Sequence, residues 1–226
     1  MPDRMVAGID EAGRGPLVGC MFQACVVVRE STLKKLRSIG VRDSKSISRL
    51  RRAALIGAVL SSAEVVLVRS YPPQVIDKEN INTLLARGLV ELVRTAIALV
   101  GRKNLVKVYA DEISGRNARE ILERGLSVPL VIEAGADRKY VVVSAASIVA
   151  KYFRDTHVRR ISSVWGDLGS GYPSDPRTRR WVLSYYKELG DLPPIVRSSW
   201  RTLAKLGIGP RKGGLEKWIR REGRLT

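Results

Sequence analysis

The feature that most constrains this chain is the way its apolar strands end. Met5 to Asp10 reads as a short buried strand that terminates in the acid pair Asp10 and Glu11. Leu105 to Ala110 reads as another strand and runs directly into Asp111 and Glu112, while Asp137 stands just ahead of the longest helical stretch. A carboxylate beside a buried strand loses hydration, which is costly unless it ends at a site. A loop position or a helix cap would explain any one of these acids. Several clustered carboxylates repel one another, and a divalent cation relieves that repulsion. Two such cations can hold a phosphodiester, generate a hydroxide nucleophile and stabilise the leaving oxygen, with no histidine or serine nucleophile required.

The rest of the chain alternates strands and helices. Gly13 to Gly19 is glycine-rich with Pro16, so the chain turns there, and the valine-rich Cys20 to Val28 is expected to pair antiparallel with the first strand. Ser31 to Ile39 is expected to be helical. Asp43 to Ser46 reads as a loop, with Ser46 or Ser48 capping a helix through about Leu60. Glu64 to Ser70 has the β-branched content of a strand. Asn82 to Val100 carries apolar residues at helical spacing, among them Leu85, Leu89, Leu92 and Val93. A short helix over Ala118 to Gly125 and a short strand over Val128 to Ile132 follow. Tyr140 to Ser162 is the long helix, with an apolar stripe of Val142, Ala145, Ala146, Val149 and Phe153. Gly166 to Pro176 is a loop, and Thr178 to Leu189 a further helix. This order predicts an α/β domain around a mixed sheet over residues 1–195, with a small, basic, helical region over 196–226.

Composition narrows the chemistry. Hydrophobic residues make up 45% of the 226, enough for a core, and no apolar run approaches the ~20 residues of a membrane span. The first residues do not read as a secretory signal. A disulfide between Cys20 and Cys25 is possible on paper, but two buried thiols of a cytosolic protein are expected. With His157 they are too few for a structural zinc site. A metal would have to be held by carboxylates, which favours a hard ion such as magnesium or manganese. The formal charge of +18 calls for an anionic partner, most simply nucleic acid. From Arg197 to Thr226 there are nine basic residues against two acidic ones.

Asp137, Ser144, Lys151 and Asp155 recur at sevens and fours, with Ser147 nearby. In a helix beginning near Asp137 they would fall within about a quarter of the circumference. Serine and lysine are phosphate-seeking, so this stripe is either a solvated face or the lining of a metal and phosphate site.

GIDEAGRGPLVG at Gly8 to Gly19, DSK at Asp43 to Lys45, YADEI at Tyr109 to Ile113 and ADRKYVVVSAASIVAK at Ala136 to Lys151 occur in one order with GSGYPSDP at Gly169 to Pro176 and PPIVRSSW at Pro193 to Trp200. This ordered set resembles the archaeal type 2 ribonuclease H (ribonuclease HII) family over roughly residues 5 to 200. The resemblance implies a ribonuclease H-like fold, a mixed five-stranded sheet flanked by helices. It also implies two divalent ions, magnesium or manganese, held by Asp10, Glu11, Asp111 and Asp137, with Asp10 bridging both. Gly13, Arg14 and Gly15 match the family's ribonucleotide reader, and Tyr172 its tyrosine that stacks on the next sugar. Lys45 and Lys151 match phosphate-contacting lysines, and Asn80 a further phosphate contact.

The implied activity is endonucleolytic. The RNA strand of RNA–DNA hybrids is hydrolysed, and duplex DNA with embedded ribonucleotides is cut 5′ of the ribonucleotide, leaving a 3′-hydroxyl and a 5′-phosphate. The protein is expected to be cytoplasmic, monomeric and without a membrane partner. The alternatives are a noncatalytic nucleic-acid-binding protein, for which four placed carboxylates would be a hindrance beside phosphates, and another nuclease of the same fold, such as a junction resolvase. The region after Trp200 is open between a phosphate-gripping role and a packing lid around Trp200 and Trp218.

Overall fold

A computed structural model describes residues 4–41 and 49–209, with the backbone alone described for 49–52. Five strands, β1 (Met5–Ala12), β2 (Met21–Arg29), β3 (Val65–Tyr71), β4 (Leu105–Asp111) and β5 (Leu130–Glu133), form one sheet in the order β3-β2-β1-β4-β5. β1 pairs antiparallel with β2 and parallel with β4, and β4 runs parallel to β5. The sheet is therefore mixed, with β1 at its centre. The helices are α1 (Leu33–Ser38), α2 (Arg49–Ser62), α3 (Pro73–Ile76), α4 (Ile81–Val100), α5 (Arg116–Gly125), α6 (Ala136–Lys139), α7 (Val141–Trp165), α8 (Pro176–Leu189) and α9 (Arg201–Lys205). No helix among the described residues is long and apolar enough to cross a membrane.

Two compact units divide the chain. One comprises the residues up to Ala12, Met21–Ser70 and Asn80–Arg154; the other comprises Gly13–Cys20, Tyr71–Glu79 and the residues from Asp155 onward. The first holds the sheet and a core in which Val26, Val28, Leu36 and Val59 pack with the N-terminal half of α7. The second has its own core, built on Leu17, Leu168, Val182, Leu192 and Leu203. The chain thus leaves the first unit at the glycine-rich turn after β1 and returns to it at β2. Cys25 is buried, Cys20 is half-buried, and both are free thiols.

α4 follows its sequence periodicity: Leu85, Leu89 and Val93 are fully buried. Asn80 caps this helix, its Oδ1 accepting from the Asn82 amide at 2.9 Å and the Thr83 amide at 3.4 Å, which satisfies two of the four orphan donors of the first turn.

α7 departs from the expected amphipathic pattern. Residues 141–150 are all buried, whereas Phe153, assigned to the apolar stripe, is 40% exposed. A helix enclosed on every side has no polar face to set a period, and this one is enclosed because β1 admits it closely. A Cβ added at Gly8 would lie 2.2 Å from the Val142 carbonyl oxygen and 2.6 Å from the Val143 nitrogen. Both neighbours are helix backbone and cannot swing aside. Gly8→Ala should therefore destabilise the fold by about 3 kcal/mol or more, read as a lower urea midpoint with little change in slope. An unchanged midpoint would mean that α7 is not held against β1 at this position.

Candidate active site

The central strand delivers the first acids. In β1, Asp10 stands opposite Ala24 of β2, and its predecessor Ile9 stands opposite Ala110 of β4. Asp111 follows Ala110, so the ends of these two parallel strands carry Asp10 and Asp111 at adjoining levels. The acids belong to the strands themselves and do not merely follow them, since β1 extends to Ala12 and β4 ends on Asp111. On the other side of β4, Asp111 faces Glu133 of β5. Its Oδ1 accepts hydrogen bonds from the backbone amides of Gly135 at 2.7 Å and Ala136 at 3.2 Å. These bonds hold Asp111 against the turn that opens α6, which carries Asp137. Asp10 is 7% and Asp137 3% exposed; Glu11 and Asp111 are half-buried.

Burial drives the electrostatics of Asp10. It raises the carboxyl well above its ordinary value, and the neighbouring Glu11 carboxylate raises it further. A Ser147 hydrogen bond, the Glu11 amide at 2.8 Å and the charge of Lys151 pull the other way without cancelling that rise. A divalent cation would add to the charge of Lys151 and offset the rise further. The donor set fits a hard divalent cation in its chemistry, four carboxylates with no thiolate or imidazole among them. Among the described residues, no three acidic, histidine or cysteine side chains already form a group that could hold a metal ion.

Several expectations require correction. Asp137 stands ahead of the long helix, as expected, and so the helix beginning near it that the stripe required does not form. Asp137 lies on the one-turn α6, which ends at Tyr140, where the backbone is extended with φ −114° and ψ 115°. The stripe counted from Asp137 along one helix is therefore broken. Ser144 and Ser147 are fully buried, so they form neither a solvated face nor a surface open to phosphates. Ser147 instead bonds Asp10, and Lys151 is half-buried one helical turn further on. Asn80 is exposed, but its oxygen serves the α4 cap. Lys45 lies outside the described residues, as do Ser46, Ser48 and residues 210–226.

The second unit contains Gly13, Arg14, Gly15 and Tyr172. Gly13 has φ 94°, a left-handed conformation that favours glycine. Gly15 is exposed, and a Cβ there would lie 3.6 Å from the Tyr172 ring, so loop and ring are immediate neighbours. The link is made by backbone: the Leu17 amide donates to the Gly171 carbonyl at 2.8 Å. Sequence reasoning missed Arg197 as a functional candidate. It appeared only as one of a run of basic residues, although PPIVRSSW contains it. In the structure Arg197 is fully buried, and its guanidinium donates to the carbonyls of Gly13 at 2.7 Å, Arg14 at 3.0 Å and Gly19 at 3.0 Å.

A central strand ending in carboxylates, within a mixed five-stranded sheet flanked by helices, defines the class: an α/β nuclease with a ribonuclease H-like fold. Comparison with known proteins then specifies the family. The family model described as Ribonuclease HII matches residues 7–203. A Ribonuclease HII of Sulfurisphaera tokodaii is 38% identical over 204 residues, 89% of this chain and 95% of that protein. The crystal structure of ribonuclease H2 from Pyrococcus horikoshii superposes with a TM-score of 0.79 at 38% identity, covering 89% of this chain and 96% of that one. An Archaeoglobus fulgidus RNase HII, solved in complex with PCNA, gives 0.77 at 32% identity over 94% and 99%. The chain belongs to the ribonuclease HII family. It is a metal-dependent endoribonuclease acting on RNA–DNA hybrids.

If burial beside Glu11 is what makes the Asp10 charge costly, Asp10→Asn should leave the metal-free protein at least as stable as the parent while lowering hydrolysis by more than ~100-fold. Thermal melts with and without manganese, run beside a hybrid-cleavage assay, check both halves. A large loss of metal-free stability would show that the Asp10 carboxylate is already compensated within the protein.

Proposed function

We propose that Asp10, Glu11, Asp111 and Asp137 together hold two divalent ions, magnesium or manganese, and that the protein uses them to cut 5′ of a ribonucleotide in a hybrid or in duplex DNA, leaving a 3′-hydroxyl and a 5′-phosphate. The observation that carries this reading is the burial of Asp10 beside Glu11 at the end of the central strand. Divalent ions, when bound, supply the positive charge that offsets the carboxylates and the phosphodiester, and they make a bound water acidic enough to attack at neutral pH. The chain's own residues have separate tasks. Asp10 and Asp111 are set at fixed levels by strand pairing, and Ser147 and the Gly135–Ala136 amides hold their carboxylates in place. Lys151, and Lys45 where the family pattern places it, meet the phosphates. Asn80 can add a contact through its amide nitrogen, which the helix cap does not use.

Gly13, Arg14 and Gly15 read the 2′-hydroxyl, the one handle that separates RNA from DNA, by bringing backbone close to the sugar. Tyr172, packed against Gly15, tests the sugar that follows, where a 2′-hydroxyl would hinder packing. This pairing favours a ribonucleotide followed by a deoxyribonucleotide. The formal charge of +18 supports phosphate contacts along a duplex, and the basic residues after Trp200 would add to them. We further propose that the chain acts as a cytoplasmic monomer.

Mapping cut positions on duplexes that carry one ribonucleotide tests the specificity. Cleavage should fall immediately 5′ of that residue. Tyr172→Ala should lose about tenfold on this substrate, and Tyr172→Phe much less, because the ring makes the contact. If such a duplex stays intact while long hybrids are cut well, reading of the junction is wrong although hydrolysis is right. No cleavage of either substrate with magnesium or manganese would favour a noncatalytic binding protein.

A further inference from the structure

Among the described residues, Arg197 is the largest of the fully buried side chains, and a buried guanidinium is costly unless its donors are all used. Three backbone carbonyls take its donors. Nε donates to Gly19 O, Nη1 to Arg14 O and Nη2 to Gly13 O, across 178 to 184 residues of sequence. The Arg197 amide donates to Leu17 O at 2.8 Å. The indole of Trp200 lies 5.1 Å from the guanidinium carbon, and its Nε1 donates to Gly15 O at 3.3 Å. The carbonyls of three consecutive residues, Gly13, Arg14 and Gly15, are thus drawn to two side chains of one short segment.

That segment is itself anchored. Asp77 accepts from the amides and hydroxyls of Ser198 and Ser199 at 2.7 to 3.0 Å, and Gln74 Nε2 donates to Pro194 O at 2.7 Å.

In a trans peptide the C=O of one residue and the N–H of the next point in opposite directions, and the described chain has no cis peptide. Turning the Gly13 and Arg14 carbonyls toward Arg197 therefore turns the Arg14 and Gly15 amides away from it. Residue 16 is proline and has no N–H, so the pattern ends there. Two successive amides pointing to one side form a small donor pair of the kind that receives an oxygen ligand. The guanidinium charge also polarises the carbonyls it binds, which strengthens their amides as donors.

We infer that Arg197, assisted by Trp200, is a positioning residue that sets ribonucleotide specificity by fixing the direction of the Gly13–Arg14–Gly15 peptides. It touches no reacting atom and acts through the loop. The inference rests on the reading of that loop as the 2′-hydroxyl sensor. Lysine keeps the charge but offers a single point, which cannot span three carbonyls.

The test couples the protein change to a substrate change. Single-turnover kcat/KM is measured on a duplex with one ribonucleotide and on the same duplex with 2′-fluoro in place of that 2′-hydroxyl, for the parent, Arg197→Lys and Trp200→Phe. In the parent, loss of the 2′-hydroxyl should depress cleavage strongly. In Arg197→Lys that penalty should shrink at least tenfold, because the amides no longer present a fixed pair. In Trp200→Phe, which keeps ring packing and removes one donor, it should shrink by about threefold, with melting temperature within a few degrees of the parent. Should the buried lysine prevent folding, the Trp200→Phe comparison decides alone. Equal losses on both substrates would overturn the inference and leave Arg197 as a packing element. A parent insensitive to the 2′-fluoro change would instead sink the loop's role as sensor, an outcome separable from the first.

Discussion

The structure is organised around a carboxylate buried in the central strand. Asp10 stands opposite Ala24 in β2 and directly follows Ile9, which stands opposite Ala110 in β4, and it lies beside a second acid in its own strand. A position of this kind costs stability in the metal-free chain, because burial and the Glu11 charge both disfavour ionisation. Much of the first unit can be read as arranging that position. Gly8 admits α7 against β1, Ser147 on α7 bonds the Asp10 carboxylate, and Lys151 brings a cation near it. The cost is tolerated where a cation is to be bound, which is the trade expected of a metal-dependent active site.

The second unit solves a different problem, that of holding a glycine-rich loop in one conformation. Glycines permit close approach to a sugar but leave the backbone with more freedom than any other residue. Here the freedom is removed by hydrogen bonds from outside the loop. Arg197 and Trp200 take its carbonyls, Gly171 takes the amide of Leu17, and the Tyr172 ring lies against Gly15. Asp10 and Asp111 thus belong to the first unit and Gly13, Arg14 and Gly15 to the second, and the chain passes from one to the other between Ala12 and Gly13.

The parts of this that the sequence made legible are those written in local pattern. β1 and β4 announce themselves by an apolar run closed by acids, and α4 by its spacing of leucines and valines. The family motifs supplied the four carboxylates as a set. What stayed hidden depends on contacts remote in sequence. The buried half of α7 shows no period because β1 and the core enclose it all round. α6 separates Asp137 from α7 through one extended residue, Tyr140, with no glycine or proline to mark the break. Arg197 looked like a member of a basic tail because its acceptors are carbonyls nearly the length of the chain away, and no composition records a carbonyl.

The central claim is that the buried strand-end acids are a metal site. Anomalous diffraction from crystals grown with manganese tests it directly. The account predicts two peaks about 4 Å apart, both within bonding distance of the Asp10 carboxylate, with Asp111 and Asp137 turned to share them. Ordered manganese found only elsewhere, with Asp10 left without a peak at saturating metal, would contradict it.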